Sequence, residues 1–285
     1  MVIAISGSSG FIGKHLTDYF VSEGATVVSL RHAYFNNKSD EKLRNSLYGC
    51  NVVINLAGVS LNRRWTDTAK RDIRQSRIAT TRRLVGLINA MPVKPSLFIS
   101  ASAIGIYPPD GIYSENSLEE GRNFLAEVCH DWEEEAQRVS PDVRLAITRF
   151  GVVLGNDGGA LPKMLLPFRL FAGGKIASGR QGFSWIHIDD LVQAMQFLIR
   201  HPELSGLFNF VSPQPIRNED FARAAAATLR RPHWLPIPAF MLRLLYGEGH
   251  ILLTEGQQAY PSHLLSAGYI FRYSDIRVAL QSLVV

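Results

Sequence analysis

The chain predicts an α/β protein: a doubly wound parallel sheet with a small C-terminal lobe. Three observations carry this. Short continuous apolar runs such as "MVIAIS", "NVVINLAG" and "SLFISASA" read as strands buried on both faces. Segments with apolar residues at helical spacing stand between them, and that alternation means a parallel sheet covered by helices. After Gly155 the texture changes to loops, short helices and Pro-rich links, which suits an appended lobe.

Each element has its own reason. "MVIAIS" runs into a glycine-rich turn and then into "FIGKHLTDYFVSEG", whose helical pattern stops at Gly24, a suitable position for a helix C-terminus. "ATVVSL" is the second strand and closes a βαβ unit. Only about 20 residues separate Leu30 from Asn51, too few for a helix, a strand and another helix. The third strand of the usual winding is therefore expected to be stunted or missing. "NVVINLAG", residues 51–58, is the next strand, and a long helix follows through "TDTAKRDIRQSRIATTRRLVGLINA". "SLFISASA" is a strand ending in small hydroxyl residues. "FLAEVCHDWEEEAQRV" is helical, and "VRLAITRFGVVLG" reads as one strand. "KMLLPFRLFAGG" is a helix with an internal Pro167. "FSWIHIDDLVQAMQFLI" is a short strand running into a helix, with Asp189 and Asp190 at the positive end of the helix dipole. The expected division is 1–155, plus about 186–212, for a nucleotide-binding domain. The smaller substrate-binding lobe takes about 156–185 and 213–285.

The glycines of "ISGSSGFIG", Gly7, Gly10 and Gly13, let the backbone turn tightly, approach a pyrophosphate and pack the helix on the sheet. The helix N-terminus then offers free N–H groups to phosphates. Placed between a strand and a helix in a βαβ unit, the loop predicts a Rossmann-type dinucleotide site. NAD sites usually carry an acid at the end of the second strand. Here that place reads "SLRH", with Arg31 and His32. A guanidinium pairs with a 2′-phosphate that a carboxylate would repel. The cofactor is therefore expected to be NADP(H).

Composition narrows the remaining classes. Of 285 residues, 46% are hydrophobic and 19% charged, with a formal net charge of +5. This is ordinary globular material with ample core. No run of five Lys or Arg occurs, so no nucleic-acid partner is expected. The two cysteines, Cys50 and Cys129, form no CxxC, and the histidines are dispersed, so no metal site is expected. The opening apolar run is too short for a signal peptide. No apolar stretch reaches about 18 residues, so no membrane partner is expected, and cytoplasm or an organelle matrix follows by default. The small-molecule substrate and the oligomeric state are not legible.

In order along the chain stand "SGSSGFIG", "NVVINLAG", "RRW", "SRIATT", "SASAIGIY", "CHDWEEEA", "RFGVVLG" and "WIHIDDLV". Together they resemble an extended short-chain dehydrogenase/reductase, most of all the atypical branch labelled nucleoside-diphosphate-sugar epimerase family protein. "LPIPAFMLRLLYGE" and "YPSHLLSAGYIFRY" resemble that branch's C-terminal segment. The resemblance implies that Gly7, Gly10, Phe11, Ile12 and Gly13 line the pyrophosphate. Arg31 and His32 would meet the 2′-phosphate, and Leu56 and Ala57 would flank the adenosine. Asp72 and Arg77 would be cofactor contacts, unless they are charges on an exposed helix face. Val152 would lie on the nicotinamide side.

The family's chemistry uses Ser, Tyr and Lys, with Tyr and Lys four residues apart. The only Tyr-x3-Lys here is Tyr34 with Lys38, far from the expected helix. Counting back from Glu133 puts Cys129 at the lysine position and Leu125 at the tyrosine position. Neither can do the tyrosine's proton transfer. Ser102 matches the family's catalytic serine, and Tyr107 on the same loop is the candidate for a displaced acid, or else packs the pocket wall. His187 serves either as a proton source or as a structural partner of Asp189. Arg149, Arg180 and Arg217 are candidates to hold a diphosphate. Two functions follow: an NADP(H)-dependent oxidoreductase or epimerase-like enzyme with a displaced acid, or a catalytically silent NADP(H)-binding regulator.

Overall fold

The computed structural model describes residues 1–35 and 40–284. The main sheet is parallel throughout and has six strands: β1 Val2–Ser6, β2 Thr26–Leu30, β3 Val52–Asn55, β4 Leu97–Ala103, β5 Arg144–Phe150 and β6 Gly206–Phe210. Their order is β6-β5-β4-β3-β1-β2. The chain winds from β1 out to β2, crosses back over β1 to β3, and continues the other way. That reversal opens a crevice at the carboxyl ends of β1 and β3, where open α/β sheets take ligands. Between Leu30 and Val52 the described residues form two short helices, His32–Phe35 and Glu41–Leu47, and no strand. Among the described residues no third strand of the usual winding stands there, in line with the expectation of a stunted or missing one. Lys38, half of the stray Tyr-x3-Lys, lies outside the described residues.

Alternation along each strand feeds two cores. Ile3 and Ile5 of β1 face one side, with Ile54 and Ile99. They pack on Leu16 and Phe20 of helix α1 (Phe11–Ser22). Ala4, Val53, Phe98 and Ile147 face the other side, against Leu84 and Ile88 of helix α2 (Asp67–Ala90) and Ala136 of helix α3 (Phe124–Gln137). The Thr66 side chain accepts from Ala69 N–H and caps α2; Asn123 caps α3.

Two sequence expectations need correction. "VRLAITRFGVVLG" is not one strand. The chain leaves the sheet at Gly151, where a Cβ would stand 2.7 Å from the Ser184 carbonyl oxygen. Val152–Leu154 then pairs with Trp185–His187 in a separate parallel ladder. Only glycine allows the two backbones to pass that closely. The Pro167 helix, α4, spans Leu161–Arg169. It begins two residues before "KMLLPF", with proline in its first turn, and stops before the glycine pair. A third core gathers α4 with helix α6 (Asn218–Leu229) and the C-terminal helix α8 (Ile276–Val284), while helices α5 (Ile188–Arg200) and α7 (Ala239–Tyr246) lie outside it. Its centre is Leu165, Phe168, Phe221, Ala225 and Leu280.

Two buried carboxylates tie this later part to the sheet. Asp190 on α5 accepts the N–H groups of Arg272 (2.8 Å) and Tyr273 (2.9 Å). Glu115 accepts those of Asn209 (2.8 Å) and Ser262 (3.0 Å). Both satisfy backbone donors that would otherwise be orphaned in the interior.

Candidate cofactor and catalytic site

Register places the first half of the site. Ser6 is paired with Leu30 on one side and with Asn55 on the other. The next residues, Gly7, Arg31 and Leu56, therefore leave three adjacent strands side by side. Gly7 has φ +71°, and a Cβ on it would stand 2.9 Å from the Leu56 carbonyl oxygen. A Cβ on Gly13 would be 2.2 Å from the Gly7 oxygen, inside any permitted contact. These two glycines are required by backbone on backbone. Gly10 differs: it is exposed, and its Cβ would meet only the Gly7 oxygen, at 3.2 Å. Its freedom faces outward, over the N-terminus of α1. Gly10 is the N-cap there, gives no side-chain hydrogen bond, and no acid stands in the first turn. Such an uncapped, acid-free terminus with glycine at the approach fits a dinucleotide's phosphates.

Other predicted contacts sort differently. Arg31 and His32 are exposed at the end of β2. The Phe11 ring turns away from the loop: Cβ atoms on Gly155, Gly158 or Gly159 would fall 2.4–2.9 Å from it. Only the Phe11 backbone is left to face a phosphate. Ile12 packs at the margin of the first core. Asp72 and Arg77 do not meet. Asp72 takes Arg63 at 3.0 Å. Arg77 lies across Gly58, donates to Val59 O (3.2 Å) and Ile73 O (3.1 Å), and sits 5.4 Å from the Trp132 ring centroid. Burial lowers its pKa. Arg77 thus braces the turn after Leu56 and Ala57. Val152, half-buried, donates its N–H to Ser184 O at 2.8 Å.

The second half of the site lies at the end of β4. Ser102 is 2% exposed, and its Oγ donates to Glu133 Oε1 at 2.6 Å. Glu133 comes from α3 and holds Arg149 of β5 through two hydrogen bonds, Nε to Oε1 at 2.8 Å and Nη2 to Oε2 at 2.7 Å. Arg149 Nη1 donates to the Tyr107 hydroxyl at 2.8 Å. That hydroxyl lies 3.0 Å from both Ser114 O and Asn209 Oδ1 as acceptors. Burial works against the Arg149 charge, yet the Glu133 carboxylate outweighs it and holds the guanidinium above its ordinary pKa. Burial likewise pushes the Tyr107 hydroxyl up, with Arg149 pulling the other way.

This geometry selects among readings that the sequence leaves open. Tyr107 packs with Ile104, Ile106 and Cys129, 1% exposed, and its hydroxyl donates within the protein, which fits the packing reading better than a displaced acid. Arg149 is not free for a diphosphate, because Glu133 occupies its fork. His187 is a helix cap. Its Nδ1 accepts the Asp189 N–H at 3.0 Å, Nε2 lies 3.2 Å from Ser282 Oγ, and its ring stacks on Tyr273. Burial lowers its pKa to about 4, so the ring is neutral at pH 7.

The places expected for the family's Tyr and Lys, Leu125 and Cys129, lie among apolar side chains. Leu125 packs beside Trp65 and Ile73. Cys129 joins Ile104, Ile106 and Tyr107, and burial raises its thiol to about 12, which makes it core rather than nucleophile. Glu133 carried a signal that sequence reasoning used only as a landmark. It shares a helical stripe with Cys129, Trp132 and Ala136, all buried. A charge on such a stripe, and Arg149 in the apolar run "LAITRFGVV", each demand a buried partner. Glu115 carried no comparable signal. Among the described residues no group of three His, Cys, Asp or Glu is placed to hold a metal.

Residues 3–209 match the NAD dependent epimerase/dehydratase family. The chain belongs to that family. Residues 237–283 match a second, C-terminal domain family of unknown function. Among family members, the chloroplastic SDR39U1 homolog of Arabidopsis thaliana is 36% identical over 301 residues, 99% of this chain and 86% of that protein. Epimerase family protein YfhF of Bacillus subtilis is 37% identical over 302 residues, covering 100% of this chain and 98% of that one. A crystal structure of human epimerase family protein SDR39U1 with NADPH superposes with a TM-score of 0.93, at 32% identity over 99% of both chains. This epimerase-family chain therefore has the family's NAD(P)-binding Rossmann-type fold.

Proposed function

We propose that the chain binds NADP(H) and acts as an oxidoreductase or epimerase-like enzyme on a small carbonyl or sugar-type molecule. The observation that carries this is the side-by-side exit of Gly7, Arg31 and Leu56 beside an uncapped helix N-terminus. NADPH in the human relative's structure supports the choice of cofactor. Gly7, Gly10, Gly13 and the α1 terminus hold the pyrophosphate. Arg31 with His32 takes the 2′-phosphate, Leu56 and Ala57 flank the adenosine, and Val152 stands on the nicotinamide side. The cofactor supplies a hydride when bound. Ser102, at the place of the family's catalytic serine, is the chain's candidate for passing the accompanying proton to the substrate oxygen; at rest its hydroxyl is hydrogen-bonded to Glu133. The same reading places the protein in the cytoplasm or an organelle matrix, with the chloroplastic relative in support.

A second reading has its own observation. With Leu125 and Cys129 in the acid and lysine places, the chain suits a silent NADP(H)-binding regulator. Calorimetry with NADPH, then a screen of carbonyl compounds and sugar nucleotides for NADPH oxidation, separates the two. Turnover that Ser102→Ala reduces by about a hundredfold, the usual scale of proton-transfer help, supports the enzyme. Tight binding with no oxidation across the screen leaves the regulator, and absence of NADPH binding removes both.

A further inference from the structure

The lobe carries an apolar surface that its own fold leaves uncovered. On α7, Phe240, Met241, Leu244 and Leu245 share one face, and that face is exposed; Leu242 alone is buried. Phe240 is 71% exposed and Leu244 72%. Trp234, just upstream, is 71% exposed. Leu170 and Phe171, after α4, are exposed beside them. The two segments run together: Leu235 N–H donates to Gly173 O at 3.3 Å, Ile237 N–H to Lys175 O at 2.9 Å, and Arg231 lies 4.3 Å from the Phe171 ring centroid. Large exposed apolar side chains gathered on neighbouring segments in this way are unusual on a monomer and mark an interaction site.

Charge selects the partner. From Gly158 to Ile188 the chain has four Lys or Arg and no Asp or Glu. From Phe221 to Gly247 it again has four and none. Arg169, Arg230, Arg231 and Arg243 are exposed among the apolar side chains. A second copy docked here about a two-fold axis would bring the same cations face to face. An anionic partner gains from them. A folded acidic protein would need a surface matched to protruding Trp, Phe and Leu from separate segments, whereas a bilayer interface takes such side chains in any arrangement. Aromatic and leucine residues set among arginines are the composition of interfacial binding. No helix among the described residues is long and apolar enough to cross a membrane, so the contact is peripheral. We infer that the face formed by α7, Trp234 and the end of α4 docks the protein on an anionic phospholipid surface. This departs from the sequence expectation of no membrane partner, which considered spanning segments and signals only.

The test sediments the full chain with phosphatidylcholine vesicles, with or without phosphatidylglycerol. Retention should be about tenfold greater on the anionic vesicles and should fall at high salt. Phe240→Ser with Leu244→Ser, and separately Arg230→Glu with Arg231→Glu, should each reduce retention about tenfold without moving the melting midpoint. Trp65, Trp132 and Trp185 are buried, so quenching by brominated lipid reads Trp234 and should vanish in Trp234→Phe. The inference fails if the protein ignores both vesicle types, or if both double variants bind like wild type. It also fails if the chain is a dimer that the apolar variant splits, which assigns the face to a second copy. Retention on polyglutamate but not on vesicles assigns it to an acidic protein and overturns the inference as well.

Discussion

Two strand ends of this sheet, those of β1 and β4 with β3 between them, treat polar groups in opposite ways. After β1, the glycine loop and the α1 terminus leave backbone donors uncapped, and the arginine beside them, Arg31, is exposed. After β4, nearly every polar atom is spent. Ser102 donates its hydrogen bond to Glu133, Glu133 fills the Arg149 fork, and Arg149 and Asn209 hold the Tyr107 hydroxyl. The first region is arranged for a ligand the chain must bring in, the second for the chain itself. A family fold can therefore keep its cofactor seat while much of its catalytic corner also serves as a structural joint, because separate strand ends build the two.

The sharpest way to break this contrast is at Arg149. Arg149→Met leaves Glu133 buried and unpaired, and removing one partner of a buried pair typically costs about 3–5 kcal/mol. Urea unfolding should show a loss on that scale. Glu133→Leu in the same chain should recover much of it, since the pair's worth lies mainly in not being half broken. If Arg149→Met unfolds like wild type, the corner is not a structural joint.

His187 extends the contrast to a third candidate proton source. Its folded pKa, about 4, lies below the ordinary value of 6.5 because burial disfavours the charged ring. The unfolded chain therefore binds the proton first. The stability that His187 contributes is complete above about pH 6.5, declines as the pH falls below it, and is gone by about pH 4. The span corresponds to on the order of 3 kcal/mol. His187→Asn keeps a capping side chain and should flatten the fall in unfolding free energy between pH 6.5 and 4. An equally steep fall in both proteins would remove His187 as its cause.

The glycine loop supplies the complementary break. Gly13→Val is useless as a probe, because its Cβ would collide with Gly7 backbone. Gly10→Val is informative: the substitution meets one oxygen at 3.2 Å and otherwise projects where phosphates would lie. NADPH affinity should fall about a hundredfold, roughly 2.7 kcal/mol, with the melting midpoint nearly unchanged. Full affinity in a folded Gly10→Val protein would move the cofactor elsewhere.

How much of this was legible beforehand follows the same division. The sheet was readable because fully buried strands are continuous apolar runs, and the lack of a third strand among the described residues because about 20 residues leave little room for one. The break at Gly151 was not readable: it arises from the approach of the Ser184 backbone, which no local pattern announces. At the seat, spacing alone located Gly7 and Gly13. At the corner, sequence named Ser102 and Tyr107 but could not say what their hydroxyls face, since their partners Glu133, Arg149 and Asn209 come from α3, β5 and β6. Polar residues advertise chemistry in sequence, and only tertiary contacts show whether that capacity is already used.

Tyr107→Phe turns that statement into a measurement. The change removes an acceptor from Arg149 and a donor from the Ser114–Asn209 side. Leaving a buried donor unsatisfied costs about 1–3 kcal/mol, so stability should drop on that scale. Any turnover found in the screen should stay within about tenfold of wild type, because the lost hydroxyl is not a general acid, whose loss would cost about 100-fold or more. A folded Tyr107→Phe protein with turnover at background would restore the displaced acid.

The smallest expected effect sharpens the seat rather than breaks it. Arg31 leaves β2 beside Gly7 because Ser6 and Leu30 are in register. Its side chain is exposed, so it keeps solvation when free and contributes only the difference between water and a 2′-phosphate. A bidentate guanidinium–phosphate pair is a strong charge-assisted contact, but at an exposed position salt screens it. The preference for NADPH over NADH is therefore set at about tenfold, or 1.4 kcal/mol, and should shrink as ionic strength rises. Arg31→Asp replaces attraction by repulsion at the same point and should abolish or invert the preference while leaving NADH binding close to wild type. The fold should not respond, since no core residue rests on this side chain. Calorimetry with both dinucleotides at two salt concentrations decides it. Equal affinities in the wild type would show that the open end of β2 is not where cofactor choice is made.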